Sequence, residues 1–190
     1  MSNRKKVYSD ITNLWIRKTK KGSYSICDGI IINGKQYFVG DNGTYIHKKS
    51  RIEEIRIATI LSLKYGKDVV LLPEISGSNT NIKLADIMVD GELIEIKSPI
   101  RCSKWTFKHA INSAKGQSTN IMINVSSLNI SNNAILNKVE KLFYDIQCNF
   151  MTLCIVFKET EILKVFQRKK IGTAALRKQD VVPTFNDSIT

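Results

Sequence analysis

The chain has 190 residues, 43% of them apolar and 24% charged; this suits one domain, or one domain with a small appendage, and excludes wholesale disorder and a large multidomain machine. Twenty-nine Lys and Arg face 17 Asp and Glu, a formal net charge of +12, which favours a polyanionic partner, nucleic acid before an anionic membrane. No apolar run reaches the roughly 18 residues that span a bilayer, and no hydrophobic signal region follows Arg4, Lys5 and Lys6. The expected place of action is the cytoplasm, without a membrane partner. Cys27, Cys102, Cys148 and Cys154 lack zinc or disulfide spacing and read as reduced, buried thiols, and two histidines are too few for a histidine metal site.

The first 46 residues read as short strands and turns: an apolar run at Leu14 to Ile16, a turn at Lys20-Lys21-Gly22, and Ile30-Ile31-Ile32 leading into Asn33-Gly34. Asn-Gly between β-rich runs predicts a tight hairpin, and Asp41-Asn42-Gly43 a further turn. Ser50 with Glu53 forms a capping box for a helix over 51–65, stopped by Gly66. Asp68 to Leu72, ended by Pro73, reads as a buried strand, and a Gly-, Ser- and Asn-rich loop runs over 76–83. Leu84 to Val89 and Glu92 to Lys97 flank Asp90-Gly91 as a second hairpin. A helix over 103–115, a strand over 120–125 and an amphipathic helix over 132–147 follow. Strands over 152–157 and 162–166 then meet at Glu159-Thr160, and from Gly172 the chain reads as a loose polar tail. The division this gives is a β-rich module (1–46), an α/β domain (47–171) and a tail (172–190).

The second hairpin carries the chemistry. A two-residue turn at Asp90-Gly91 sets Val89 opposite Glu92, Met88 opposite Leu93, Ile87 opposite Ile94 and Asp86 opposite Glu95, with Lys97 on the face of Glu95. Two carboxylates with Cβ atoms about 5 Å apart are destabilising unless positive charge lies between them. Mg²⁺ or Mn²⁺ would supply that charge beside Lys97. The competing reading is an edge hairpin with a solvated polar face and Lys97 simply paired to Glu95. On the first reading, amide substitution of Asp86 or Glu95 should stop the reaction without loss of stability.

Between residues 50 and 125 the element order is helix, strand, strand, strand, helix, strand, and Asp86 is followed after a short hairpin by Glu95-Ile96-Lys97. This resembles the PD-(D/E)xK, restriction-endonuclease-like nucleases, whose αβββαβ core has that order. Within them the chain is similar to the tRNA-nuclease domains of contact-dependent growth inhibition toxins and their prophage and mobile-element relatives. That likeness rests on Glu54-Ile55-Arg56-Ile57-Ala58, Leu71-Leu72-Pro73-Glu74, the Glu-Ile-Lys motif, Gln117-Ser118-Thr119-Asn120, and the late helix with its closing hairpin. Ala85 departs from it, since many members have proline before the aspartate.

The resemblance implies a metal-dependent endonuclease acting on RNA, with tRNA favoured over DNA and a cognate immunity protein as partner. It implies that Asp86 and Glu95 bind Mg²⁺ or Mn²⁺, that Glu54 completes the site, that Lys97 activates water or stabilises the transition state, and that Gln117 contacts substrate. On a helical wheel Glu54 shares its face with Ala58, Leu61 and Tyr65, whereas Glu53 has a sufficient role in the capping box. Lys104, Lys108, Asn112 and Lys115 form a stripe that suits a phosphate backbone or a solvated face equally well. Trp105 and Phe107 read as core anchors and His109 as packed. Two other functions fit the same sequence: a DNA endonuclease of a phage or mobile element, and a non-catalytic nucleic-acid-binding or phage structural protein.

Overall fold

The structure, a computed structural model, describes residues 6–27, 29–38, 45–46, 52–73, 75–76, 83–169 and 181–185. In chain order its elements are β1 (Tyr8–Asp10), α1 (Thr12–Ile16), β2 (Ser23–Ile26), β3 (Gly29–Ile32), β4 (Lys35–Phe38) and β5 (Tyr45–Ile46). Next come α2 (Ile52–Tyr65), β6 (Asp68–Leu71), β7 (Ile75–Ser76), β8 (Ile87–Val89) and β9 (Glu92–Lys97). The last are α3 (Thr106–Ser113), β10 (Asn120–Asn124), α4 (Asn132–Leu142), β11 (Leu153–Lys158), β12 (Glu161–Arg168) and β13 (Val181–Thr184). The order from α2 to β10 is the expected one with the two-residue β7 added. Among the described residues no helix is long and apolar enough to cross a membrane.

The chain divides into two compact units, Met1–Arg17 with Glu95–Leu176 and Lys18–Ile94 with Arg177–Thr190. This division differs from the expected boundaries near 46 and 172. β9 is split between the units: its first half pairs with β8 and its second half with β10.

In the first unit the strands run β1, β12, β11, β10, β9. The β1/β12 and β12/β11 pairs are antiparallel, and β11/β10 and β10/β9 are parallel. Parallel strands must be covered on both faces, which explains why Ile121, Met122, Ile123, Ile155 and Val156 are all fully buried. Phe107 and Ile111 of α3 and Ile135 and Val139 of α4 join the same core. Tyr8, Phe143 and Phe166 pack in it with ring centroids 5.1 to 5.7 Å apart.

Leu14 to Ile16, expected as a strand, belong to α1. The side chain of Asp10 accepts from the backbone N–H and hydroxyl of Thr12, and that local bond offers the chain a helical turn instead of a ladder. The helix expected over 132–147 stops at Leu142. Arg168 donates to the carbonyls of Phe143, Cys148 and Met151, and Asp145 caps a separate 3-10 turn at Ile146–Cys148.

Asp10 also pairs with Lys164 at 2.5 Å. Burial pushes its carboxyl up, but hydrogen bonds from Lys164 and Thr12 outweigh this and hold it at about 2 against an ordinary 3.8. A depressed carboxylate stabilises the fold above its unfolded pKa and loses that contribution as pH falls toward the folded value. Asp10→Asn should therefore cost on the order of 1 kcal/mol at pH 7, discounted for a partly exposed pair. In thermal melts the difference from wild type should shrink as pH falls from 4 toward 2.

In the second unit, β2 and β6 are parallel, and β6/β8 and β8/β9 antiparallel. Asn33-Gly34 turns β3 into β4 with φ of 50° and 82°, the hairpin its chemistry requires. β13 pairs antiparallel with β3, so residues 181–184, expected in a loose tail, are a strand; Val181 is apolar, buried and packed with Ile30 and Ile32. α2 buries Ile57, Ala58, Leu61, Ser62 and Tyr65 and ends at Gly66 with φ of 65°. At Gly22 a Cβ would lie 2.4 Å from the carbonyl oxygen of Lys67, so only glycine permits that approach. The Ser50 cap, the Asp41-Asn42-Gly43 turn and most of the 76–83 loop lie outside the described residues.

Candidate active site

Asp90 and Gly91 have φ of 48° and 84°, both left-handed as a two-residue hairpin turn demands. The ladder has Val89 opposite Glu92, Met88 opposite Leu93 and Ile87 opposite Ile94, three of the four pairs derived from the sequence; it ends there, so the expected pairing of Asp86 with Glu95 is not part of it. Asp86 precedes β8, is half-buried, and accepts through its backbone carbonyl from the N–H of Leu72 at 3.0 Å. It lies in the second unit with Glu54, and Glu95, Lys97 and Gln117 lie in the first.

Glu95 is 1% exposed. Lys97, two residues along the strand and so on the same face, places Nζ 2.5 Å from Glu95 Oε1 with 22% of its own side chain exposed. Removing a carboxylate from water costs several kcal/mol, on the order of what an ammonium in good contact returns. Glu95 and Lys97 pair with Ile121 and Ile123 of β10, so this half of β9 is no edge strand. Of the competing reading, a solvated edge hairpin with Lys97 paired to Glu95, the ion pair is present, but Glu95 is buried and this half of β9 is not at an edge.

The far end of β9 is pinned by a polar network. Asn124 is 4% exposed; its Nδ2 donates to Ser98 Oγ at 3.3 Å, and its Oδ1 accepts from the N–H and hydroxyl of Ser126. Ser126 Oγ in turn accepts from the N–H of Glu159. The sequence reading missed Asn124 and Ser98. Their only signal was a polar residue ending each apolar strand.

Among the described residues no group of three or more His, Cys, Asp and Glu stands close enough to hold a metal ion. Asp86 and Glu95 each offer the hard carboxylate oxygens that Mg²⁺ prefers, an ion that keeps much of its water and takes only one or two such ligands. Burial pushes the Cys148 thiol to about 11 and drives Cys154 up as well, away from the thiolate that a nucleophile needs. Cys102, expected to be buried, is exposed.

Glu54 is half-buried on α2, and its Oε2 is among the atoms that solvent does not reach. Its wheel partners Ala58, Leu61 and Tyr65 are buried as expected. Glu53 points outward and pairs with Arg56 at 2.8 Å. Glu53→Ala should thus cost no more than about 0.5 kcal/mol and leave activity near wild type. Glu54→Ala should lower activity at least tenfold with the fold retained, read by melting and rate measured together.

α3 begins at Thr106, three residues later than expected, because Thr106 Oγ1 accepts from the N–H of Ser103 and donates to the carbonyl of Arg101. The lysine stripe is thereby broken. Lys104 precedes the helix, Lys115 follows it, and Lys108 is tied to Asp145 at 2.7 Å. Phe107 is buried as expected, but Trp105, at the N-cap, is 51% exposed and His109 is exposed: it lies two residues from both Phe107 and Ile111, and so on the opposite face of the helix. Gln117 is half-buried in the turn between α3 and β10, its N–H donating to the carbonyl of Ala114.

Glu95 and Lys97 lie inside the part of the chain that known families recognise. Residues 83–162 match the family model of the contact-dependent growth inhibition CdiA C-terminal domain. The match spans somewhat under half of the chain, taking in Asp86 and Gln117 and leaving out Glu54. Among solved structures, the chain is similar to a CdiA-CT/CdiI toxin and immunity complex from Burkholderia pseudomallei. That likeness has 21% identity and a TM-score of 0.47 over 67% of this chain and 96% of the other. No curated protein matches.

Proposed function

We propose that this chain is a toxin-type, metal-dependent endonuclease that hydrolyses phosphodiester bonds of RNA, with tRNA favoured over DNA. The observation that carries the reading is the buried Glu95 joined to Lys97, within the segment that matches the CdiA C-terminal family. The net charge of +12 suits a phosphate polymer. The fold assignment that goes with this reading is the PD-(D/E)xK core.

Asp86 and Glu95 would hold Mg²⁺ or Mn²⁺, with Glu54 contributing directly or through water. Such an ion supplies positive charge to the phosphate and acidifies water. Lys97 Nζ orients the attacking water or neutralises charge that builds on the phosphate in the transition state. Gln117 fixes the substrate through its side-chain amide. A cell that makes such an enzyme needs protection from it, so the implied protein partner is a cognate immunity protein.

The test is incubation of purified protein with total tRNA and, in parallel, with DNA, each with Mg²⁺ and with EDTA. Cleavage of tRNA that EDTA abolishes is the expected result. Cleavage of DNA alone would make the chain a DNA endonuclease, and salt-sensitive binding without cleavage of either would make it a binding or structural protein.

A further inference from the structure

The segment that follows Lys97 exposes groups that a folding core has no use for. Ile100 is 75% exposed and Trp105 51%, and Arg101 and Lys104 are exposed beside them. Lys104 Nζ lies 4.9 Å from the centre of the Trp105 ring and Lys108 Nζ 5.8 Å. An indole left half open to water sacrifices apolar burial that an aromatic side chain ordinarily gains. Cations over and beside it attract a phosphate chain, and an open aromatic face accepts any nucleobase.

We propose that Trp105 is a stacking platform for an unpaired base of single-stranded RNA, with Lys104 and Arg101 holding the adjoining phosphates. The charge of this surface selects that occupant: an apolar protein partner would have to bury Lys104 and Arg101, whereas a nucleotide supplies their counter-charge. Lys108 differs in role, because Asp145 already neutralises it; it braces the ring. The inference rests on the reading of the chain as acting on nucleic acid, and it adds a requirement that the substrate offer a base free of its duplex partner.

The chain has two tryptophans, so Trp15→Phe leaves Trp105 as the only indole. Emission of that variant is followed on titration with a short oligouridine and with an abasic ribose-phosphate oligomer of the same length, without Mg²⁺. Oligouridine should quench Trp105 and the abasic oligomer should not. Trp105→Ala, in the wild-type background, should weaken oligouridine binding about 5- to 150-fold and leave abasic binding unchanged, and Trp105→Phe should retain most of the affinity. Equal quenching by both probes, no binding of either, or Trp105→Ala binding like wild type overturns the proposal. Shielding of Trp105 only by a protein overturns it too. Cleavage of tRNA by the same preparation separates the two ideas: cleavage with an indifferent Trp105 removes the platform alone, and base-dependent quenching without cleavage removes the nuclease alone.

Discussion

Glu95→Gln and Asp86→Asn should each reduce Mg²⁺-dependent cleavage by at least about 100-fold, because either amide removes one of the two negative charges proposed to hold the ion. The two variants should differ in stability. Glu95 is in contact with Lys97, so Glu95→Gln gives up an ion pair and also relieves a desolvated carboxylate, terms that oppose one another. The ammonium left behind is partly exposed and reaches water, so the net cost should be near 1 kcal/mol or less. From the sequence, relief of like charge predicted a fold intact or slightly more stable. The Lys97 contact shifts that expectation to a small loss, and urea unfolding with and without Mg²⁺ measures it. Wild-type cleavage by either amide variant would remove the metal from the account.

Lys97→Ala has the larger effect on the fold. It strands a carboxylate that is 1% exposed without its ammonium, and breaking a buried pair from that side costs about 3–5 kcal/mol. Glu95→Gln/Lys97→Met, which removes both charges, should recover most of that loss and remain inactive. A double variant no more stable than Lys97→Ala would mean that the pair contributes little. Lys97→Arg keeps the charge and should keep the stability, yet it should not cleave: arginine stays protonated, and its planar fork puts charge elsewhere than a compact ammonium does.

How much of this was legible in the sequence depended on how local the cause was. Both Xaa-Gly hairpins, the register around Asp90-Gly91 and the stop at Gly66 follow from backbone preferences of one or two residues, and all were read in advance. Elements whose limits are set by distant partners were not. α1 is fixed on β12, where the Ile11 N–H donates to the carbonyl of Val165 and Thr12 Oγ1 accepts from the N–H of Val165, and the end of α4 is set by a guanidinium 25 residues away in sequence. β13 is short and meaningful only against β3.

The same holds at the site. Spacing put Glu95 and Lys97 on one face, but whether that face was wet depended on β10, which lies across a parallel crossover. Trp105 was misplaced because the helix start is fixed by Thr106 hydroxyl bonds that hydrophobic periodicity does not register.

The central claim is that Lys97 works on the chemical step, and single-turnover cleavage of tRNA by Lys97→Arg tests it most directly. Binding is measured in parallel with Ca²⁺ in place of Mg²⁺. The account predicts wild-type melting, near wild-type affinity and salt dependence, and a cleavage rate reduced at least about 100-fold. A wild-type rate, or a loss confined to affinity, would make Lys97 one more phosphate contact and contradict the mechanism.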